Sequence, residues 1–501
     1  MPSRPLLRHA LFAAVLFVLT GCGSCGRAPL GSAGEPPAPP REFRAAWVST
    51  VGNIDWPSAP GLPVERQLAE MRAILDRAAA LNLNAIVLQV RPACDAIYPS
   101  AIEPWSEYLT GRQGQAPSPA YDPLATWVRE AHRRGIELHA WFNPYRARHM
   151  NARSPDAPTH ITNTHPQIVR TFNKWAWLDP GEPLARQHTL SVIADVVRRY
   201  DVDGVHIDDY FYPYASYLKG QPFPDSASYQ RYKSTGGTLA VADWRRDNVN
   251  TMVRAIHQTV KSVKPHVKFG ISPFGIWRPN NPPGIAGLDQ YEELFADARL
   301  WLEKGWCDYF TPQLYWPLGA PKQPYAKLLR WWASQNPTGK HVWPGNAVSD
   351  LKSPPQPWPT SEIVDQVRAT RADGGATGNV HFSMAALMRA RADIAAALQN
   401  GPYAQRALVP ASPWLGGAVT HPAPKVEAKR EGGAVMVTWQ PAGAEPWVWG
   451  VWLRYGKEWR FATYPSGTRG MRFEGAIEEV RVFGVDRIGT LGESGGAGVG
   501  N

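Results

Sequence analysis

The sequence predicts an α/β protein whose main part is a TIM-like (β/α)8 barrel, followed by a small β-sandwich. From Glu42 onward, apolar strand-like runs alternate with segments of helical periodicity about eight times, the number that such a barrel requires. The loops after the strands are longer and richer in Trp, Tyr, His and Arg than the connections before them. This asymmetry places polar and aromatic side chains on one barrel face, where barrels of this class carry their active sites.

The repeating pattern also predicts the bounds of the elements. Asp122 and Pro123 form a helix start signal, with Asp as the cap and Pro in the first turn, and Gly135 ends that helix. The other predicted helices cover residues 65–81, 184–200, 241–263, 289–304, 325–334 and 361–372. The predicted strands cover residues 43–50, 84–91, 137–144, 267–275, 308–316, 340–347 and 378–384, with the fourth strand of the barrel inside residues 201–213.

The fourth strand, within DVDGVHIDDYFYP, is the stretch around which the chain is organised. Along it, Val205 and Ile207 fall on one face, while His206 and Asp208 fall on the other. If the apolar face packs against the surrounding helices, the polar pair points along the barrel axis, with Asp208 at the carboxyl-terminal mouth. By the same alternation Asp209 points the other way, toward a neighbouring strand or loop.

The residues that end this strand indicate sugar chemistry. Paired carboxylates such as Asp208 and Asp209 cleave glycosidic bonds, and aromatic faces such as those of Tyr210, Phe211 and Tyr212 stack on pyranose rings. Two adjacent Asp residues also occur as caps of the next element, so that alternative stays open at this point.

The first forty residues predict export. Arg4 and Arg8 precede a short apolar run over residues 11–19, which is typical of a secretory signal covering residues 1–21. Residues 19–22, Leu-Thr-Gly-Cys, resemble a bacterial lipobox, which implies lipidation of Cys22 and membrane attachment through that lipid. Gly23 favours the outer membrane, so the prediction is an outer-membrane lipoprotein that faces the periplasm, with ordinary secretion as the alternative. Residues 22–40 then form a flexible tether.

The composition changes after the predicted barrel, which covers residues 41–402. Several prolines mark a linker over residues 403–422, and short alternating runs at 434–439, 448–455 and 480–485 follow it. This spacing predicts a small antiparallel sandwich of the fibronectin type III kind over residues 423–490. The Gly-rich residues 491–501 are predicted to be a disordered tail.

The net charge of the chain indicates which class of binding partner to expect. The formal net charge is +10, which after export favours an anionic partner such as an acidic glycan or a phospholipid surface. The sequence argues against nucleic acid as a partner, because the chain has neither a Lys-rich run nor a nucleic-acid-binding signature. His and acidic residues are not set at ligand spacings, so we expect no metal and no cofactor, and we expect a monomer.

Several long segments resemble the glycosyl hydrolase-like family 10 lipoproteins, namely residues 41–57, 121–146, 200–213, 269–278 and 308–316. The resemblance covers nearly the whole barrel. It implies a TIM-barrel glycosidase domain in an exported, often lipid-anchored protein, with members linked to cleavage of peptidoglycan glycan strands. The block DGVHID also resembles the fourth-strand block of the alpha-amylase family, where the final Asp is the nucleophile. That match falls on Asp208, although His206 stands where those enzymes carry Arg.

Glycoside hydrolysis needs two carboxyl groups, about 5 Å apart for retention or roughly 6.5 to 9.5 Å apart for inversion. Asp208 is the candidate nucleophile or base, and Glu103, Asp209 and Asp95 are candidates for the second group. Glu103 lies beside Pro104 and Trp105, an apolar wall that raises a pKa as an acid requires. The alternative for Glu103 is a solvated carboxylate in a loop.

The predicted substrate contacts come from side-chain alternation along the neighbouring strands and from the loops that follow those strands. They are Arg91, Asp95, His139, Asn143, Arg146, His206, Tyr210, Gln313, Tyr315 and Trp316. Arg91 and Arg146 are expected to bind the lactyl carboxylate of N-acetylmuramic acid, which is free in glycan strands that lack peptides. Three functions therefore remain open: a peptidoglycan glycosidase, a glycosidase for another extracellular polysaccharide, and a wall-glycan-binding lipoprotein without catalysis.

Overall fold

The computed structural model describes residues 34–352, 357–389 and 393–499. The predicted signal segment and Cys22 lie outside the described residues. The chain divides into two units, Met1–Ala38 and Pro39–Asn501, and the second contains the elements given below. Among the described residues, no helix combines the length and the apolar composition needed to cross a bilayer.

Twelve strands lie in the described part of the chain before residue 400. They are β1 (Phe43–Val48), β2 (Ala85–Arg91), β3 (Glu137–Phe142), β4 (Arg146–Arg148), β5 (Val169–Phe172), β6 (Trp175–Leu178), β7 (Gly204–Ile207), β8 (Lys268–Ile271), β9 (Tyr309–Phe310), β10 (His341–Val342), β11 (Gly345–Asn346) and β12 (Gly378–His381).

Nine of these described strands form one curled parallel sheet in the order β10-β9-β8-β7-β3-β2-β1-β12-β11. Only Trp343 and Pro344 separate the two end strands along the chain, so a single segment pairs with β9 on one side and with β12 on the other. The sheet is therefore TIM-barrel-like, as predicted. The predicted seventh strand is split in two because Pro344 has no N–H to donate to the ladder.

The helices of the described residues lie between these strands. They are α1 (Val64–Ala80), α2 (Glu107–Thr110), α3 (Pro123–His132), α4 (Ile161–Thr164), α5 (Pro183–Arg199), α6 (Ala215–Leu218), α7 (Ser226–Ser234), α8 (Val241–Val263), α9 (Gln290–Glu293), α10 (Ala298–Glu303), α11 (Tyr325–Ser334), α12 (Thr360–Asp373), α13 (Met384–Met388) and α14 (Ile394–Asn400). Short 3-10 turns cover Val51–Asn53, Pro166–Ile168 and Val348–Lys352.

One helix prediction is wrong in detail. The segment 289–304 holds two short helices, α9 and α10, because Phe295 adopts a positive φ of 53° that no α-helix contains. Asp297 then caps the second helix by accepting a hydrogen bond from the amide of Leu300.

A small sheet that the sequence did not predict lies in the loop after β3. Strands β4, β6 and β5 pair antiparallel in that order. The hairpin between β5 and β6 carries Asn173 and Lys174 at its turn. This sheet adds a rigid wall to the barrel face at which the parallel strands end.

The carboxyl-terminal part consists of strands alone from residue 425 onward. In the described residues these strands are β13 (Lys425–Glu431), β14 (Ala434–Gln440), β15 (Val448–Tyr455), β16 (Glu458–Pro465), β17 (Gly470–Glu474), β18 (Glu479–Val485) and β19 (Leu491–Gly498). They form two antiparallel sheets, β13-β14-β17 and β16-β15-β18-β19, with an apolar cluster around Trp439 and Trp449. The fibronectin type III assignment stays a prediction.

The predicted disordered tail is wrong for residues 491–498, which form β19 and pair with β18. The glycines of this strand are needed because neighbouring backbone atoms lie close to it. A Cβ on Gly495 would lie 2.0 Å from the carbonyl oxygen of Pro424, and one on Gly492 would lie 2.6 Å from that of His421. The glycines therefore let neighbouring backbone approach, which a compositional argument for disorder does not detect.

The carboxyl-terminal sheets contact the amino-terminal end of the barrel. Arg487 forms ion pairs with Asp201 and Asp203, which precede β7. Trp414 donates to Asp308, which precedes β9, at 3.0 Å. These contacts lie at the opposite end from the loops that follow the strands, so they leave the mouth of the barrel open.

Candidate active site

A cleft of about 260 Å³ lies at the mouth of the barrel. It is built by strand ends, by the loops after β1, β3 and β7, and by the segments that follow β8 and β9. Its lining residues are Trp47, Ser49, Val51, Ile54, Gln89, Trp141, Arg146, His149, Asp208, Asp209, Tyr210, Ser272, Gln313, Tyr315 and Phe382. The predicted residues Asp208, Asp209, Arg146, Tyr210, Gln313 and Tyr315 are therefore brought together.

Asp208 is the first residue after β7 and is only 3% exposed. The indole Nε1 of Trp141 donates to its carboxylate at 3.1 Å, and the amide Nδ2 of Asn143 lies 3.3 Å from both carboxylate oxygens. Both partners come from β3 or its end, the strand paired with β7. The neighbouring strand thus holds the Asp208 carboxyl in one orientation.

Burial raises the pKa of Asp208 to about 7. This value already includes the effects of Arg146 and of the hydrogen bond from Trp141, which lower the pKa, and of the charge of Asp209, which raises it. A carboxyl group with this pKa is partly protonated at neutral pH. It is therefore suited to giving a proton to a leaving oxygen.

Asp209 lines the same cleft, which corrects the prediction that it points away. Strict alternation ends with β7 at Ile207, so two consecutive carboxyl groups reach one cavity. The hydroxyl of Tyr214 donates to Asp209. Burial raises the pKa of Asp209, while hydrogen bonds from Tyr214 and Gln313 oppose that shift. Among the described residues, these two are the only carboxyl groups that line the cleft.

Arg146 supplies positive charge beside the carboxyl pair. Its Nε donates to the carbonyl oxygen of Pro92 at 3.0 Å, and its guanidinium lies 4.9 Å from the ring centroid of Tyr210. The two terminal nitrogens of Arg146 have no hydrogen-bond partner within the described ranges. They are free to bind an anionic group on a ligand.

The floor of the cleft offers a second free donor. The Oε1 of Gln89 accepts hydrogen bonds from Ser49 and Val51, whereas its buried Nε2 has no partner in the part of the chain described. A buried amide N–H without a partner is costly in free energy unless a ligand or water satisfies it. Gln89 is therefore a candidate for binding a sugar hydroxyl.

His206 lies beneath this floor and does not line the cleft. Burial lowers its pKa well below the usual range, so the ring is neutral. Trp47 Nε1 lies 3.3 Å from its Nε2, which therefore accepts, and the proton sits on Nδ1, 3.1 Å from the hydroxyl of Tyr309. His206 thus supports Trp47 and Ser272 from below and does not contact a ligand in the cleft.

The structure contradicts the predicted roles of Glu103 and Arg91. The guanidinium of Arg91 binds the carboxylate of Glu103 at 2.6 to 3.0 Å, His188 lies 2.8 Å from the same carboxylate, and neither member of the pair lines the cleft. Burial alone would raise the pKa of Glu103, but Arg91 and His188 lower it to about 2. Glu103 is therefore ionised and is not a general acid, and Arg91 is not free to bind a substrate carboxylate.

Four further predicted contacts lie away from the cleft lining. Asp95 is buried and accepts from the amide of Ala93 at 3.1 Å. His139 lies deeper in the barrel, between Tyr309 and Glu137 at 2.8 and 2.9 Å. Trp316 packs against Phe274, with ring centroids 5.6 Å apart. Asn143 contacts the site through Asp208 and through the backbone amide of Arg146, which donates to its Oδ1 at 2.8 Å.

The sequence argument also missed lining residues. Trp47 and Phe382 supply aromatic walls, and Ser272 and His149 add polar groups. Trp47 lies on an inward position near the carboxyl end of β1, so the alternation that identified Asp208 is a signal that finds it. Phe382 follows β12 and Ile54 lies in a loop, where alternation gives no information.

In residues 34–352, 357–389 and 393–499, no group of three or more His, Cys, Asp or Glu residues is placed to hold a metal ion. The predicted lack of a metal and of a cofactor stays a prediction. The described groups alone can donate a proton, accept one and bind an anion.

The raised pKa of Asp208 predicts a pH-dependent effect of the Asp208→Asn substitution on stability. A carboxyl whose pKa rises on folding stabilises the fold below its unfolded pKa, and this stabilisation is lost as the pH rises through the folded pKa. From about pH 4 to pH 8, the native protein should therefore lose up to about 4 kcal/mol relative to the variant, since each pKa unit corresponds to about 1.4 kcal/mol.

This prediction is checked by denaturant unfolding of both proteins at the two pH values. Asp76→Asn is the control, because Asp76 is exposed on α1 and should show no such difference. An equal difference in stability between native and Asp208→Asn protein at pH 4 and pH 8 would contradict the assigned pKa.

The family model and the curated relatives that match this chain are all glycosyl hydrolases or glycosyl hydrolase-like proteins. A family model described as Glycosyl hydrolase-like 10 matches residues 42–359. The chain is 42% identical over 388 residues to glycosyl hydrolase YngK of Bacillus subtilis (strain 168), covering 75% of this chain and 74% of that protein. It is 36% identical over 378 residues to glycosyl hydrolase DigH of Escherichia coli (strain K12), covering 69% and 84%. A solved glycoside hydrolase domain of PgaB (BpsB) from Bordetella bronchiseptica aligns with 14% identity and a TM-score of 0.47, covering 72% of this chain and 98% of that domain.

Proposed function

The chain belongs to the Glycosyl hydrolase-like 10 family, and from this premise we propose that it hydrolyses glycosidic bonds in cell-wall glycan strands. The observation that carries the proposal is the cleft itself. Two buried carboxyl groups and an arginine with free terminal nitrogens lie together among aromatic side chains that suit sugar rings.

In this proposal Asp208 is the proton donor to the leaving oxygen. A pKa of about 7 supports that role, whereas the sequence favours a nucleophile or base at this position. Asp209 lies beside it and acts in its ionised form, either on the anomeric carbon or on the attacking water. Because neighbouring carboxyl groups ionise in two coupled steps, loss of the first proton from the pair leaves one acid and one carboxylate.

The proposed substrate is peptidoglycan that lacks peptides, a polymer of N-acetylglucosamine and N-acetylmuramic acid. Its lactyl carboxylate is free and fits the unpaired guanidinium end of Arg146. Arg91, the other predicted carboxylate ligand, is held by Glu103, so Arg146 alone keeps this role. The net charge of +10 supports an anionic polymer over a neutral one.

We further propose that the protein acts as an exported, monomeric lipoprotein. Lipidation of Cys22 would hold it at the outer membrane facing the periplasm, where cell-wall glycan strands lie and nucleic acid does not. The resemblance of residues 19–22 to a lipobox supports this proposal. Labelling with a radioactive fatty acid in cells that express the native protein or Cys22→Ala tests it: label in both proteins would contradict it.

The substrate proposal is tested by incubating the protein with peptide-free glycan strands and with neutral chitin oligosaccharides, and by measuring new reducing ends. We expect faster cleavage of the peptide-free strands, and we expect Arg146→Gln to lose about tenfold in this preference. Equal rates on the two polymers would exclude the muramyl carboxylate as the recognised group. Cleavage of another extracellular polysaccharide alone would favour the second enzymatic alternative.

A non-catalytic glycan-binding protein remains the alternative from a different class. It is favoured if the strands are retained on the immobilised protein without new reducing ends. The raised pKa of Asp208 argues against it, because a binding site gains nothing from a carboxyl group that is poised to release its proton at neutral pH.

A further inference from the structure

A second cavity, of about 620 Å³, lies on the same face of the barrel as the catalytic cleft. It is bounded by the 3-10 turn after β1, by α2 and its flanks, by the loop after β4 and by the turn between β5 and β6. Its size is within the range of about 300 to 1,000 Å³ that ligand pockets occupy. None of the proposed catalytic groups lines it.

The two cavities share a wall. Val51 and Ile54 line the catalytic cleft, whereas Gly52 and Asn53 between them line the second cavity. In the same way, His149 lines the catalytic cleft and the next residue, Met150, lines the second cavity. The wall is thus two short stretches of chain, and the cavities are neighbouring parts of one surface.

The surface beside this wall suits a sugar chain. The apolar side chains of Ile54 and Met150 are each 47% exposed, one on each side of the wall. The ring of Tyr210 in the cleft is 6.4 Å from that of Tyr217, which stacks on the buried ring of Trp175 at 4.5 Å. Lys174, at the rim of the second cavity, immediately precedes Trp175.

The accessible charge of the second cavity is positive. Arg153 and Lys174 are exposed, and neither side chain has a carboxylate partner in the described residues. The one acid lining the cavity in that part of the chain, Glu107, is buried and accepts from the amides of Arg153 and Ser154, both at 2.8 Å. Its carboxylate is therefore held in place by two backbone amides.

One residue that lines the cavity also carries an unsatisfied polar atom. The hydroxyl of Tyr108 is buried and has no hydrogen-bond partner among the described residues. Tyr108 lies close enough to Arg146 of the catalytic cleft for that charge to oppose the rise that burial causes in the pKa of Tyr108. Tyr108 thus connects the lining of the second cavity to the side chain of Arg146.

We propose that the second cavity is an outlying subsite that binds further sugar units of a carboxylated glycan chain whose scissile bond lies at Asp208. Arg153 and Lys174 face the carboxylates of those units. Met150 contacts the apolar face of a ring in the second cavity, and Ile54 contacts the ring on the cleft side of the wall. The inference rests on the proposed glycosidase function and adds that the protein prefers long anionic strands to short fragments.

The test compares the native protein with the Arg153→Glu/Lys174→Glu variant on long peptide-free glycan strands and on the tetrasaccharide of the same polymer. We expect the ratio of kcat/KM on strands to that on tetrasaccharide to fall about tenfold in the variant, because two attractive charges become repulsive. The native ratio should also fall with added salt, which screens exposed charges. On strands whose carboxylates have been reduced to alcohols, the variant and the native protein should give the same ratio.

The matched control is Arg66→Glu/Lys457→Glu, which makes the same change in net charge at exposed positions outside both cavities. An unchanged ratio in the Arg153→Glu/Lys174→Glu variant, or an equal fall in the control variant, would overturn the proposal. If the native protein cleaves neither substrate, the proposed function fails instead. Binding of long strands to the native and variant proteins, measured by affinity electrophoresis, then decides the subsite, because equal retention of both proteins would refute it.

Discussion

The Asp208→Asn protein is expected to hydrolyse peptide-free glycan strands about 10³-fold more slowly than the native protein, with its fold intact. The amide keeps the size of the side chain and can still pair with Trp141 or Asn143, but it cannot donate a proton to the leaving oxygen. The measurement is kcat from new reducing ends, with circular dichroism as the check on folding.

The control for this prediction is Asp297→Asn. Burial also raises the pKa of Asp297, but it caps α10 and does not line the cleft. Its variant should cleave glycan within twofold of the native rate, about the scatter expected of a remote change. If Asp208→Asn retained full activity, the assignment of the proton donor would be wrong, and Asp209 would be the next candidate.

The Glu103→Gln protein is expected to lose about 3 to 5 kcal/mol of stability. The side chains of Arg91 and Glu103 are 0% and 1% exposed, so the substitution leaves a guanidinium buried without its counter-charge. The measurement is the denaturant midpoint at pH 7. Folded variant protein should cleave glycan at nearly the native rate, because Glu103 lies outside the cleft.

Glu474→Gln provides the comparison for this second prediction, since Glu474 pairs with Arg472 on an exposed strand. It should change stability by about 0.5 kcal/mol or less. A Glu103→Gln protein that was as stable as the native protein but inactive would restore Glu103 as the general acid. That result would also remove the reason for assigning the proton donor to Asp208.

Much of the barrel is predictable because its signals are local. The sequence predicts α8 and α11 with the bounds that the structure has, since an apolar stripe defines each helix and a proline lies just beyond one end. The small sheet β4-β6-β5 escapes the same reasoning because its strands are three or four residues long and pair only with each other. The strand β19 was not predicted because its high glycine content is typical of a disordered segment.

The candidate site was harder to predict. The alternation of side chains along a strand shows which face of the sheet a side chain lies on, but it does not show how deep in the barrel that side chain lies. Asp208 and His139 both point inward, yet one reaches the mouth and the other binds Tyr309 inside the barrel. Alternation also stops where β7 ends, which is why Asp209 was placed on the wrong side. The pairing of Glu103 depends on the path of a loop that brings it onto Arg91, and no periodicity reports that path.

The central claim is that a glycosidic bond is cleaved at the mouth of the barrel between Asp208 and Asp209. A crystal structure of the Asp208→Asn protein soaked with a peptide-free peptidoglycan oligosaccharide tests it most directly. We expect a glycosidic oxygen within about 2.6 to 3.2 Å of the side chain of residue 208 or 209, with a lactyl carboxylate on Arg146. An oligosaccharide bound elsewhere on the protein, with this cleft left empty, would contradict it.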